Sequence, residues 1–247
     1  MGHLRNTLSN SLKTLLVTKL GRDVIVNTTM FGDRKFNCAN GVELFRTVKY
    51  GGEHKSLGAF LFLLKEDDIV WDIGASVGLF TVYSAGLVKT VVSFEPDPEI
   101  YQRLTTNIRL NNFTNVITNQ LGVGDKDTQM NLNTNGVDGN SPSLMDLNRH
   151  TGSISIDVKS VDSLIKSGLP IPTVIKIDIE GAEGLAIKGA LSLLKSPEKP
   201  RLLFVEIHPQ FLDINGPDEI INILKENGYK ILNTQNRDKE YHLIAVI

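Results

Sequence analysis

Four short stretches carry residue types that could do chemistry together. In Asp72-Ile73-Gly74-Ala75-Ser76-Val77-Gly78 two glycines follow an acid. Glycine lets the backbone turn sharply and lets a ligand lie against it with no Cβ in the way. Glu95-Pro96 comes 17 residues after Gly78 and offers a carboxylate that can accept both hydroxyls of a ribose. The third stretch holds Asp178 and Glu180, and the fourth holds Glu206 and His208. Carboxylates and imidazole are the groups that move protons near neutrality once their surroundings tune them. Any one of these residues alone reads as a helix cap or a solvated turn.

The turn could serve several nucleotides, so its details matter. A nicotinamide cofactor needs three glycines in a G-x-G-x-x-G frame. In frame with Gly74 the other two positions are Ser76 and Leu79, and that reading fails. No Gly-Lys-Ser/Thr occurs, so a Walker A phosphate loop is also missing. Glu95 suits any adenosine ligand and does not decide between them. Asp72 is more selective, because a carboxylate before the turn repels a pyrophosphate and attracts the ammonium of a methionine moiety beside a sulfonium. The expected cofactor is S-adenosylmethionine.

Such residues converge only if a sheet places them at one edge. From Asp68 onward, short apolar runs that end in glycine or acid alternate with helical segments, which predicts a parallel sheet with crossover helices. The runs are Ile69 to Ile73, Val91 to Phe94, Val116-Ile117, Val174 to Asp178 and Leu202 to His208. Asp97 is placed to cap a helix with Pro98 in its first turn, and Ser160 to cap a shorter one. One helix is expected to carry Ala186, Ala190, Leu193 and Leu194 on one side, and another to begin at Pro217. Tyr229 to Leu232 and His242 to Val246 close the chain with no helix between them, so they should pair antiparallel. Ligands of open α/β sheets bind beyond the carboxyl ends of the strands, which puts Asp72, Glu95, Asp125, Asp178, Glu206 and His208 around one crevice. The polar segment from Lys126 to Ser153 reads as a hairpin and loop. Residues 1–65 read as a small N-terminal α/β appendage, and 66–247 as the catalytic domain.

Composition narrows the partners. Lysine and arginine total 26 against 28 acids, for a net charge of -2 over 247 residues, which gives no bulk attraction for nucleic acid or an anionic membrane. The single cysteine, Cys38, cannot form an intramolecular disulfide. No apolar run approaches the ~20 residues of a membrane span, and the N-terminal leucines are broken by Lys13 and Lys19. A cytoplasmic location is the default expectation. An amphipathic N-terminal helix would offer a face for a homo-oligomer.

The motifs together resemble the FkbM family of methyltransferases. The resemblance rests on Asp72 to Thr81, Phe94-Glu95-Pro96, Val161-Asp162-Ser163-Leu164, Ile175 to Glu183 and Glu206-Ile207-His208. It runs from about Glu66 to about Leu232. The block Asp178-Ile179-Glu180-Gly181-Ala182-Glu183 is its most specific part, and Ser76 departs from the asparagine common in the family. The resemblance implies a class I, Rossmann-like methyltransferase fold: a mostly parallel seven-stranded sheet with an antiparallel C-terminal hairpin. It also implies S-adenosylmethionine as donor and O-methylation of a hydroxyl on a sugar, glycolipid or other small natural product.

The residues expected to border the cofactor are Asp72, Gly74, Ala75, Ser76, Gly78, Thr81, Glu95, Pro96, Gly122, Val123 and Asp178. Methyl transfer is a direct displacement and needs no enzyme nucleophile, but a hydroxyl acceptor calls for a base. His208 is the preferred base, Glu206 orients it or competes with it, and Glu180 faces the acceptor or the next helix. A divalent cation on Asp178, Glu180, Glu206 and His208 is the alternative and is not favoured, so no metal ligand is assigned. Glu183 reads as a first-turn helix acid, His242 as a surface or packing residue, and Lys176 carries no functional assignment. The rival readings are an RNA methyltransferase and a non-catalytic nucleotide-binding protein of the same fold. The acidic balance and the lack of an Asp-Pro-Pro-Tyr motif weigh against nucleic acid.

Overall fold

The computed structural model describes residues 24–38, 43, 44, 47, 53–136, 142–144, 152–212, 216–237 and 240–247. The expected N-terminal helix, the oligomer surface assigned to it and parts of the segment from Lys126 to Ser153 lie outside them.

The chain enters through an antiparallel hairpin, β1 (Val24–Thr29) and β2 (Gly32–Asn37), followed by α1 (Glu53–Phe62). The alternating βα pattern then begins: β3 (Ile69–Ile73), α2 (Leu79–Ala85), β4 (Thr90–Phe94), α3 (Pro98–Leu110) and β5 (Val116–Asn119). A small unit follows, made of β6 (Gly122–Gly124), β7 (Thr128–Thr134) and β8 (Gly152–Ser160). After α4 (Val161–Lys166) come β9 (Val174–Ile177), α5 (Glu183–Lys188), α6 (Leu191–Lys195), β10 (Leu202–Ile207) and α7 (Gly216–Glu226). The chain closes with β11 (Lys230–Arg237) and β12 (Glu240–Val246).

Seven strands make the main sheet, in the order β11-β12-β10-β9-β3-β4-β5. β3, β4, β5, β9 and β10 run parallel, while β12 is antiparallel to both of its neighbours. The expected terminal hairpin is therefore present, with its last strand inserted beside β10. The strands at the centre are buried on both faces, which is why they read as unbroken apolar runs. From β3 the chain moves first to β4 on one side and later to β9 on the other. That reversal parts the connecting loops and opens a crevice at the carboxyl edge.

Local chemistry explains the helix boundaries. Asp97 accepts from the Glu99 and Ile100 amides, with Pro98 in the first turn, as the sequence predicts. A cap of this kind contributes about 1 kcal/mol. Ser160 accepts from the Ser163 amide and caps α4. The single helix expected to carry Ala186, Ala190, Leu193 and Leu194 is instead two, α5 and α6. At the break, a Cβ on Gly189 would lie 2.0 Å from the Gly124 carbonyl oxygen, so the backbone passes too close to β6 for any other residue.

Apolar clusters fill both faces of the sheet. Trp71, Phe94, Ile175, Ile177, Leu203 and Val205 pack against α4, α5, α6 and α7. On the opposite face Phe36, Leu57, Phe60 and Leu61 of the N-terminal elements join Phe80, Tyr83 and Phe204 in one cluster. Burying a side chain such as Phe60 stabilises the fold by about 1.5–3 kcal/mol. The β6-β8-β7 sheet is a separate unit whose apolar residues Leu132, Ile156 and Val158 turn inward. Among the described residues no helix is long and apolar enough to cross a membrane.

Candidate active site

A cavity of about 270 Å³ lies beyond the carboxyl ends of β3, β4, β9 and β10. Gly74, Ala75, Ser76, Glu95, Pro96, Gly122, Val123, Asp178, Glu180, Glu206 and His208 all line it, so most of the residues expected from sequence converge. Leu132, Leu144 and Ile156 add an apolar wall contributed by the small sheet and the segment 142–144.

The glycine turn is built by its neighbours. The Gly74 and Ala75 amides donate to the Phe94 carbonyl at 3.1 and 2.9 Å, tying the turn to the end of β4. Gly74 has φ +78°, and a Cβ there would come within 1.9 Å of the Asp178 carbonyl oxygen. Ser76, at φ +50°, is a non-glycine residue in the left-handed region. Its amide donates to Glu95 Oε2 at 2.9 Å, and the Asp97 amide donates to Oε1 at 3.0 Å. Glu95 is thus held in place by two backbone amides while its carboxylate borders the cavity.

Three residues expected at the cofactor stand behind the cavity wall. Asp72 is buried, its Oδ2 accepts from Thr81 Oγ1 at 2.6 Å, and its Oδ1 lies 3.2 Å from Lys176 Nζ. Thr81 in turn contacts Ser93. A strand alternates its faces, so with Ile73 lining the cavity, Asp72 beside it in β3 points into the layer below. Gly78 supports the start of α2, packed under Leu104. Asp125, which the strand-end argument placed in the crevice, is exposed and does not line it.

Lys176 is the residue that sequence reasoning left without a role. It lines the cavity, donates to the Gly74 carbonyl at 2.9 Å, and has Asp178 Oδ2 at 3.5 Å as well as Asp72. The Phe80 ring lies 5.0 Å from its ammonium. Burial works to strip its proton, but Asp72 and Asp178 more than offset that, and its pKa is held above the ordinary value. The signal was present in the sequence: a lysine inside a fully buried strand requires counter-charges.

The acids and histidines pair differently from expectation. Glu183, read as a helix acid, is buried, and its Oε1 takes His208 Nδ1 at 2.8 Å and the Gly181 amide at 2.9 Å. His208 Nε2 lies 3.7 Å from Glu180 Oε2. Glu206 does not orient His208. It pairs instead with His242 Nε2 at 3.0 Å, so His242 is a buried partner of the site and not a surface residue. Burial opposes the charge on His208, but the hydrogen bond it donates to Glu183 and the charges of Asp178, Glu183 and Glu180 raise its pKa to about 10. Asp178 is pushed up to about 7 by burial and by the charge of Glu206. Burial also works against Glu206, whose pKa is nonetheless lowered to about 2, chiefly by the His242 hydrogen bond. Glu180 adopts φ +53° at the tip of the turn, and Ser143 Oγ donates to its carbonyl at 2.7 Å. Among the described residues no three His, Cys, Asp or Glu side chains are arranged to hold a metal ion.

A mostly parallel seven-stranded sheet finished by an antiparallel hairpin, with a glycine turn and an acidic strand end at the switch point, defines a class I methyltransferase fold. The pattern of the Methyltransferase FkbM domain matches residues 72–231, and the chain belongs to that family of methyltransferases. It is similar to the hexuronic acid methyltransferase AglP of Haloferax volcanii, with 28% identity over 209 residues, covering 84% of this chain and 82% of that one. It also resembles Methyltransferase 1 of Beauveria bassiana, at 27% identity over 147 residues, 50% of this chain and 59% of the relative. Among solved structures, a methyltransferase FkbM from Methylobacillus flagellatus superposes with a TM-score of 0.53 at 23% identity, covering 75% of this chain and 45% of that one.

Proposed function

We propose that this methyltransferase moves a methyl group from S-adenosylmethionine to a hydroxyl of a sugar, glycolipid or related small glycan. The observation that carries the reading is the glycine turn joined to Glu95 at the switch point, beside a cavity where Glu95, Glu180 and Glu206 outnumber the cations Lys176 and His208 even with Asp178 protonated. A cationic donor is favoured in such a field and a pyrophosphate is not. The match to a hexuronic acid methyltransferase supports a sugar acceptor. We keep the division into an appendage, 1–65, and a catalytic unit, 66–247, as part of this proposal.

The donor set fits that cofactor. Glu95 would hold the ribose hydroxyls, and Leu121, Val123, Leu132 and Ile156 offer an apolar wall for the base. Asp178 is placed for the methionine ammonium, while Asp72 acts one layer back by holding Lys176. The chemistry supplied by the bound donor is an electrophilic methyl group on sulfur. Positioning of the acceptor does much of the rest.

His208 is assigned as the base. Glu183 fixes its Nδ1, leaving Nε2 on the side of Glu180. The imidazole is held protonated at neutral pH by its acidic neighbours, so it must release that proton before it can accept one from a hydroxyl. A positive charge bound nearby favours the release.

Calorimetry with S-adenosylmethionine and with NAD, on the wild type and on Glu95→Ala, tests the cofactor. The first ligand should bind the wild type and lose about tenfold or more in Glu95→Ala, since hydrogen bonds to a charged group are removed. Binding of NAD in its place would overturn the reading. A labelled-methyl screen over hexoses, hexuronic acids, glycolipids and RNA then tests the acceptor class, and label appearing only in RNA would overturn the sugar assignment.

A further inference from the structure

Glu206 faces the cavity, yet the group that fixes it comes from outside the βα units that build the crevice. Strand β12 runs antiparallel to β10 with His242 directly opposite Glu206. From that position His242 Nε2 meets Glu206 Oε2 at 3.0 Å. On its other side His242 Nδ1 lies 3.4 Å from Ser56 Oγ, which belongs to α1. Ser56 and His242 are each 4% exposed, so water does not compete for these contacts. The imidazole also packs on Phe204, with ring centroids 5.3 Å apart, and Phe204 in turn packs on Phe60 of α1. Among the described residues His242 is the side chain that hydrogen-bonds the Glu206 carboxylate.

The arrangement places a proton on Nε2 of His242. Glu206 can only accept when ionised, so Nε2 carries a proton. The Ser56 hydroxyl, which can donate or accept, meets the ring at Nδ1. The chain Ser56, His242, Glu206 is thereby satisfied end to end, and it links the N-terminal helix to the crevice.

We propose that His242 is a positioning residue: it holds the Glu206 carboxylate in place at the crevice, and Ser56 of α1 holds His242. The consequence falls on Asp178, which follows β9 next to Glu206 because Ile177 and Val205 are paired in register. Two acids side by side do not both ionise freely, and the one with the better donor keeps its charge. Glu206 has the donor, so Asp178 is left to carry the proton of the pair, in line with the directions in which the two groups are shifted. The other charged groups facing them are Lys176, Glu180, Glu183, His208 and, one layer back, Asp72. For catalysis the proposal rests on the reading of this crevice as the methyl-transfer site. Its structural content does not.

The test is a carboxylate carbon NMR titration of the unloaded, full-length protein, with the Glu206 signal identified by its loss in Glu206→Gln. In the wild type that signal should remain ionised down to about pH 3, and in His242→Gln, which keeps a donor at the Nε2 position, it should stay low. In His242→Phe, which fills the same space without a donor, it should move up by about one unit or more, a tenfold or larger change in acidity. An unmoved signal in His242→Phe, or an equal rise in both variants, would overturn the assignment. Should His242→Phe fail to fold, Ser56→Ala provides the second arm, with a smaller upward shift expected and an unmoved signal counting against the role of Ser56. Calorimetry with S-adenosylmethionine on the same samples keeps the two ideas apart, because failure of the donor to bind counts against the methyl-transfer reading and leaves the titration result standing.

Discussion

The His208 imidazole and the Glu183 carboxylate meet at 2.8 Å although 25 residues separate them and they follow different strands of the sheet. Both are buried. Glu183 also accepts from the Gly181 amide, so one oxygen orders the turn and the imidazole together, while its Oε2 has no hydrogen-bond partner among the described residues. A buried imidazole whose Nδ1 is fixed by an acid has one orientation, and here its Nε2 is turned toward Glu180.

The pair makes stability depend on pH with a definite sign. The His208 pKa is raised from 6.5 to about 10 on folding, so the protonated ring favours the folded state. That contribution is complete below about pH 6.5 and fades as the pH climbs through about 10. In urea denaturation the gap between the wild type and His208→Gln should shrink over that window. A gap that stays constant or widens would contradict the assignment.

Glu183→Gln removes the negative charge and keeps the shape. His208 should then titrate at least about one unit lower, as followed by imidazole proton NMR. No change would mean that Asp178 and Glu180 alone hold the proton on His208.

Lys176→Met should be costly. It leaves Asp72, buried and 3.2 Å from the ammonium, with no counter-charge. Breaking a buried pair from one side destabilises by about 3–5 kcal/mol. Combining it with Asp72→Asn should cost less than the sum of the two single changes, because both remove one interaction. Additive losses in denaturant would show that the pair is not coupled.

Gly74→Ala and Gly58→Ala form a contrast at two glycines. The first puts a methyl group on the Asp178 carbonyl at a positive φ and should lose about 2 kcal/mol or more, together with donor binding. The second lies in α1, where a Cβ meets nothing within 4 Å, and should gain about 0.5–1 kcal/mol. Thermal melts and calorimetry on both variants check this, and similar behaviour of the two would remove the steric argument.

Glu180 carries a side chain at φ +53°. Glu180→Gly should therefore be more stable than Glu180→Ala by about 1 kcal/mol, since both lack the carboxylate and only glycine is relaxed there. Equal stabilities would show that the turn adapts without strain.

Local chemistry along the chain determined the parallel sheet, the capped start of α3, the terminal hairpin and the glycine turn followed by Glu95. Each depends on residues a few positions apart: apolar runs, Asp97 before Pro98, Gly74 before the helix. Those signals survive folding because neighbours in sequence remain neighbours in space. Tertiary structure decided the partners. Asp72 looked like a ligand group and turned out to anchor Lys176, since the pleat sends it one layer below the crevice. Glu206 looked like the partner of His208, two residues away, but His208 lies past the end of β10 and pairs with Glu183, and register gave Glu206 to His242 on β12 instead. Glu183 reached His208 only because α5 folds back over the end of β10. The choice among several nearby acids is an energy difference set by burial and by distances between strands far apart in the chain, and no spacing within one segment encodes it.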